Sequence, residues 1–383
     1  MPESGAPARP RRGSFAQVAV GLVALLHLYI GARLLPALPA PGPVLGSAGL
    51  VLLFLLVLSA ATPLFGRRHA PGLLAWAGLT AMGFFSSLLV LTLLRDLVLV
   101  AALPFDVEIA GITARAVPAL AALASFVGFV NARRPPAVRE VEVPLPGLPP
   151  ALHGFSIVQI SDLHVGPTIR QGFVRRVVAA VSRLQADAVA ITGDVVDGRV
   201  HELREHTAPL GELRARHGVF VVTGNHEYYS GAHEWIAEFQ RLGLRPLMNE
   251  HVELKHDGAA LVLAGVADYT AHHFDPAHRS DPRRALAGAP HGMSIPRVLL
   301  AHQPRSAPAA ADAGFQLQIS GHTHGGQFLP WNLFVPLQQP YTAGLHQHGP
   351  MWIYISRGTG YWGPPKRAGA PSEITRLKLV PAA

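Results

Sequence analysis

Aspartates, histidines and one asparagine recur in five short motifs of this chain, and each motif follows a short β-branched run. Residues 155–160 lead into Asp162-Leu163-His164, and residues 188–192 into Gly193-Asp194-Val195-Val196-Asp197. Residues 219–223 lead into Gly224-Asn225-His226-Glu227, residues 297–301 into His302-Gln303-Pro304, and residues 317–320 into Gly321-His322-Thr323-His324. Asp162, His164, Asp194, Asn225, His302, His322 and His324 offer oxygen and imidazole donors without sulfur. That set suits Mn, Fe or Zn better than Ca, which prefers oxygen alone. Seven donors are too many for one ion and enough for two that share a carboxylate. Ion pairs about 3.5–4 Å apart are typical of phosphoryl hydrolysis. His322 and His324, two residues apart in a loop, can reach different ions. Gly193, Gly224 and Gly321 lie just before donors, where the chain must turn sharply without a side chain in the way.

The elements that position these motifs follow from periodicity. The five runs have strand length and composition. Between the first two, Phe173, Val174, Val177, Val178, Val181 and Leu184 form a stripe at helical spacing. This is a β-α-β unit, so adjacent parallel strands are expected. Such folds collect ligands at the carboxyl ends of their strands, and all five motifs sit at such ends. Any one motif alone says little; their joint order carries the reading.

The mean hydropathy of +0.28 is high for a wholly soluble chain of 383 residues, and the excess lies before about residue 131. Four apolar segments, at about 15–35, 44–65, 73–94 and 112–130, each approach the ~20 residues that cross a bilayer as a helix. The fourth carries Arg115 and Pro118 and is the weakest. Arg9, Arg11 and Arg12 precede the first segment, Arg67, Arg68 and His69 follow the second, and Arg133, Arg134 and Arg139 follow the fourth. These clusters fall on one side, so the soluble part is expected in the cytoplasm. Arg11-Arg12 before Ser14-Phe15 loosely resembles a twin-arginine signal, but three further spans argue against export. Arg95-Asp96 is expected as an interfacial ion pair. The net charge of +8 fits topology and anionic lipid contact, and the absence of cysteine excludes disulfides and thiolate metal sites. The expected organisation is a membrane domain at 1–134, a stiff Pro-rich linker at 135–151 and a soluble domain at 152–383.

The motif order resembles the calcineurin-like metallophosphoesterase superfamily, whose pattern is Asp-x-His, Gly-Asp-x-x-Asp, Gly-Asn-His-Asp/Glu, a lone His and Gly-His-x-His. The Gly-His-Thr-His-Gly-Gly-Gln run at 321–327 and Pro371-Ser372-Glu373-Ile374-Thr375 are similar to its bacterial membrane-associated branch. The resemblance covers about residue 152 to the C-terminus. It implies an α/β fold, a four-layer α/β/β/α sandwich, here preceded by a bundle of about four transmembrane helices in a bacterial inner membrane. It implies one metal on Asp162, His164 and His324, a second on Asn225, His302 and His322, and Asp194 bridging both. By the same resemblance a metal-activated hydroxide attacks, and His226, oriented by Asp197, protonates the leaving group. Members often read Asn/Gln-Pro-Asp after the lone His; here Gln303-Pro304-Arg305 departs from that.

The expected partners are a phosphate ester, lipid-linked in the sharper form, and membrane lipids. No basic stripe with interleaved aromatics is evident in the soluble half, so nucleic acid is not expected. One branch of the family cleaves the pyrophosphate of UDP-2,3-diacylglucosamine in lipid A synthesis, which is one alternative. A non-catalytic metal-binding membrane component is the other. His201, His206, His217, His256, His272, His273 and His278 are expected to be solvated. Ser356–Gly360 with Pro364–Arg367 is expected as either a phosphate or head-group contact or a surface loop. Trp331, Phe334 and Trp352 fit either a core or a membrane-facing position.

Overall fold

The computed structural model describes residues 12–38, 42–65, 72–105, 108–290, 292 and 295–382. The chain divides into two compact units, Met1–Phe126 and Val127–Ala383. In the first, α1 (Arg12–Leu34), α2 (Gly42–Phe65), α3 (Gly72–Ala102) and α4 (Ala110–Arg133) follow in order, and α4 crosses the boundary between the units. All four are long and apolar enough to cross a membrane. Arg9, Arg11 and the Arg67–His69 cluster lie outside the described residues.

The third helix runs past its expected end at Leu94, because Leu97-Val98-Leu99-Val100 prolongs the apolar stretch. Arg95 and Asp96 therefore lie inside α3. Arg95 is buried and donates to Thr113 Oγ1 (3.1 Å) and to the carbonyls of Arg33 (3.2 Å) and Ala110 (3.1 Å). Asp96 accepts from the Tyr29 hydroxyl (2.6 Å) and Arg33 Nε (2.8 Å), whereas its contact with Arg95 is 3.6 Å. The expected Arg95–Asp96 pair is thus part of a wider polar cluster joining α1, α3 and α4, as charge within an apolar bundle requires.

The second unit opens with β1 (Ala137–Leu145), β2 (Ser156–Ile160), α5 (Gln171–Ser182), β3 (Ala188–Thr192), α6 (Val200–Thr207) and β4 (Val219–Val222). It continues through α7 (Asn225–Ser230), α8 (Ala232–Arg241), β5 (Arg245–Pro246), β6 (Glu250–His256), β7 (Ala259–Gly265) and α9 (Pro282–Ala285). It closes with β8 (Arg297–Leu300), α10 (Ala307–Ala313), β9 (Leu317–Ser320), β10 (Gly344–His348), β11 (Met351–Ile355) and β12 (Glu373–Pro381). These strands form two sheets of six, ordered β1-β12-β2-β3-β4-β5 and β10-β11-β9-β8-β7-β6. The pairs β2–β3, β3–β4 and β8–β9 are parallel, as the β-α-β pattern predicts.

Period-two alternation sorts the side chains into three layers of core. Val158, Ile160, Val189 and Ile191 face α5, α6 and α8, whose Val174, Val177, Leu203 and Trp235 pack on them. Ile157, Ala188 and Ala190 face the other way, against Leu263, Val298, Leu300 and Ile319 of the second sheet. Leu299, Ala301 and Ala264 form the outer face of that sheet, under Ala285, Ala307 and Ala310. The architecture is an α/β/β/α sandwich.

The 135–151 segment is a correction to the expected linker. Residues 137–145 are β1, paired in parallel with β12 over nine positions, and Val143 and Leu145 are fully buried between the sheets. The prolines obscured an alternating Val141, Val143, Leu145 pattern; an edge strand tolerates Pro144 because one side of it needs no donor.

Candidate active site

Strand register brings the motifs to one place. Val158 pairs with Val189 and Val189 with Val219, so the chain leaves β2, β3 and β4 along one edge toward Asp162, Asp194 and Asn225. Val298 pairs with Leu317, which sends His302 and His322 out of the second sheet together. The exit loops bond to each other: Asp162 N–H donates to Gly193 O and His164 N–H to Asp194 O, both at 3.0 Å.

The backbone is strained where the donors stand. Asp162, His164, Asp194, His322 and His324 all adopt left-handed φ between 51° and 74°. Each such non-glycine residue costs about 1–3 kcal/mol, and strain of this kind concentrates at functional sites. Gly193 shows why glycine precedes a donor: its φ is +85°, and a Cβ would strike Gly224 N and His302 Nδ1.

The structure brings all seven expected donors together. Asp162, His164 and His324 form one group, and Asp194, His302 and His322 another, each with ligating atoms within 4.8 Å of one another. His164 Nε2 lies 3.1 Å from His324 Nε2 and 3.8 Å from Asp194 Oδ2. His302 Nε2 lies 3.1 Å from Asp194 Oδ2 and 3.2 Å from His322 Nδ1. His302 Nδ1 donates to Thr192 O (2.7 Å), and His164 Nδ1 donates to Asp197 Oδ1 (3.1 Å). With Nδ1 engaged outward, each ring turns its Nε2 inward, as ligating histidines do. Asn225 Oδ1 is buried with no hydrogen-bond partner among the described residues. Ring nitrogens facing carboxylate oxygens, beside an orphaned amide oxygen, are a donor set that fits divalent cations. Burial lowers the His322 pKa to about 3, so that ring is neutral.

His226 stands beside these donors with a different tie. Its Nδ1 is 2.5 Å from Asp197 Oδ1, and its N–H donates to Asp194 Oδ1 at 2.9 Å. Burial alone would drive the proton off this ring; Asp194 and Asp197 outweigh it and raise the pKa to about 9. Burial also opposes charge on Asp197, but His164 and His226 hold its carboxyl well below the usual range. Asp197 thus serves two rings, where the sequence suggested one.

Two further residues escaped the sequence reading. Glu227 is fully buried, and its carboxylate accepts from the N–H groups of Asp194, Gly224, Val195 and Val196 at 2.6–3.3 Å, knitting two exit loops together. Burial and the Asp194 charge push its pKa up to about 8. Arg367 is buried as well. It donates to the carbonyls of Arg357 (2.7 Å), Ala370 (3.0 Å), Gly360 (3.0 Å) and His324 (3.3 Å), with Nη2 3.1 Å from His324 Nδ1. Lys366 is buried too. The 364–367 segment is therefore not the surface loop that is one of its two expected readings, and its Pro364 lines the cavity over the donors. Arg305 donates to Gln338 O at 2.5 Å, at the edge of the cavity that Gln338 lines. His256 is buried and packs edge-on against Phe155, and His278 is half-buried and bonds to Tyr228, so these two are not the solvated histidines expected.

A cavity of about 570 Å³ opens over the donors. Its floor includes His164, Asp194, Asn225, His226, His322 and His324, and its walls include Tyr229, Phe328, Trp331, Phe334, Val335 and Trp362. Trp331, Phe334 and Trp362 remain partly exposed at the rim, whereas Trp352 is half-buried in β11.

The profile of the family described as calcineurin-like phosphoesterase matches residues 155–326. "Transmembrane protein with metallophosphoesterase domain" of Bos taurus is 39% identical over 88% of this chain and 72% of its own length. The Danio rerio protein of the same name is 36% identical over 69% of this chain and 62% of its own. An "Uncharacterized metallophosphoesterase" of Helicobacter pylori is 38% identical over 66% of each. Motif order, sandwich, converging donors and a relative matched along most of both chains agree: this chain belongs to the calcineurin-like phosphoesterases, metal-dependent hydrolases of phosphate esters.

Proposed function

We propose that this membrane protein hydrolyses an amphiphilic phosphate ester, with the phosphoryl group over the donor floor and the apolar part along the aromatic wall. One observation carries the reading: a single cavity joins the converging carboxylates and imidazoles to Trp331, Phe334 and Trp362. Asp162, His164 and His324 would hold one divalent ion, Asn225, His302 and His322 a second, and Asp194 would serve both. Bound there, such ions supply Lewis acidity toward phosphoryl oxygens and lower the pKa of water.

The residues supply the rest. His226, protonated and held through Nδ1 by Asp197, presents Nε2 as the proton donor to the departing oxygen. The five left-handed donors hold their side chains in place before substrate arrives. His226 also lies with His164 and Asp194 in a third group that could hold a metal, but its short bond to Asp197 supports a proton-donor role over a non-catalytic metal-binding component. The basic clusters flanking the apolar helices support a cytoplasmic position for this unit, which in a bacterial setting is the inner face of the inner membrane.

The test uses the whole chain in detergent, loaded with manganese, and p-nitrophenyl phosphodiesters that differ only in a methyl or a long alkyl arm, beside p-nitrophenyl phosphate. The long-chain diester should show the lower KM. Trp331→Ala with Phe334→Ala should raise that KM about tenfold, about 1.4 kcal/mol, and leave the methyl ester unchanged. Equal KM values for both arms would refute the amphiphilic part of the proposal.

A further inference from the structure

The helix that carries Asn225 and His226 leads into a second group of donors, which the phosphoester site does not use. His233 lies at the start of α8, beyond Gly231, and Asp275 and His278 belong to the loop between β7 and α9. His233 Nε2 is 3.0 Å from Asp275 Oδ2, and His278 Nε2 is 3.9 Å from the same oxygen. One donor atom from each of the three lies within 4.8 Å of the others.

Two of the three are fixed from behind. His278 Nδ1 bonds to the Tyr228 hydroxyl at 2.8 Å, which leaves Nε2 to face Asp275. Asp275 Oδ1 accepts from Ala277 N–H at 2.9 Å, which leaves Oδ2 to face the two imidazoles. Outer partners that orient a ring and a carboxylate are the usual support of a metal ligand. Zinc bonds of about 2.0–2.2 Å in tetrahedral geometry place ligand atoms about 3.3 Å apart; the observed 3.0 and 3.9 Å straddle that spacing.

We propose that His233, Asp275 and His278 bind a further divalent cation of zinc type, which clamps the start of α8 to the 275–278 loop. Two imidazoles and one carboxylate, with an open position for water, suit zinc better than calcium or magnesium. The clamp would act beside the cavity wall. Tyr228 and Tyr229 both pack on Phe274, with ring centroids 5.8 and 5.6 Å apart, and Tyr229 lines the cavity.

Equilibrium dialysis of the whole chain in detergent at micromolar free zinc, followed by elemental analysis, tests this against His233→Asn with Asp275→Asn. The His233 side chain is 72% exposed, so its change leaves the core intact. The wild type should carry one more zinc per chain than the variant. Zinc should also raise the melting temperature of the wild type by more than that of the variant, while the two melt alike without zinc. The difference in zinc count is independent of how many ions the phosphoester site takes. Equal zinc counts in the two proteins would overturn the proposal.

Discussion

Arg367 shows how far a single side chain can organise the site from behind. Its guanidinium serves the carbonyls of four residues and lies against the His324 ring, and burial lowers its pKa to about 10, still above neutrality. Arg367→Met would leave several buried acceptors unmet, at about 1–3 kcal/mol each. A loss of about 3 kcal/mol corresponds to a melting temperature about 6–12 °C lower in a unit of this size. A thermal melt followed by tryptophan fluorescence checks this, and an unchanged midpoint would contradict it. The seven donors could be read from sequence because each sits directly after a strand, where spacing alone forecasts position. Arg367 and Glu227 could not, because their partners are backbone groups contributed by distant loops. Residue type does not announce such contacts.

At the scale of elements, β1 decides where the second unit begins. It covers the edge of β12 and sends Val143 and Leu145 between the sheets. A chain starting at residue 146 would expose β12 as an unpaired edge and lose that burial, so it should aggregate. A chain starting at residue 127 should be soluble and give a near-UV circular dichroism spectrum of fixed tertiary packing. Equal solubility of the two would contradict the role given to β1. The parallel strands, the α5 stripe and the donors at strand ends were legible because their periods are clean. The β1 strand was hidden by its prolines, and α3 was read short because a charged pair at 95–96 looked like a helix end. Both errors weighed composition above tertiary partners: an edge tolerates proline, and buried charge finds acceptors on neighbouring helices.

At the scale of the molecule, hydropathy made the membrane half legible, whereas the side on which the hydrolytic unit lies rests on the distribution of arginine. The chain has no cysteine, so one introduced thiol reports cleanly. Lys255 is exposed on β6. Lys255→Cys should resist a membrane-impermeant maleimide in intact cells and react in inverted vesicles. Labelling in intact cells would reverse the proposed orientation. The course of the chain through two facing sheets followed from the family resemblance, because strand periodicity does not say which sheet a strand joins.

The central claim is that His226, held by Asp197 beside seven converging donors, acts in phosphoester hydrolysis. The most direct measurement is turnover of a chromogenic phosphodiester by the manganese-loaded whole chain and by His226→Ala, with bound metal counted in both. The account predicts equal metal content and a kcat about 10²–10⁴-fold lower in the variant. An undiminished rate in the variant, or a fully metal-loaded wild type that cleaves no phosphate ester, would contradict it.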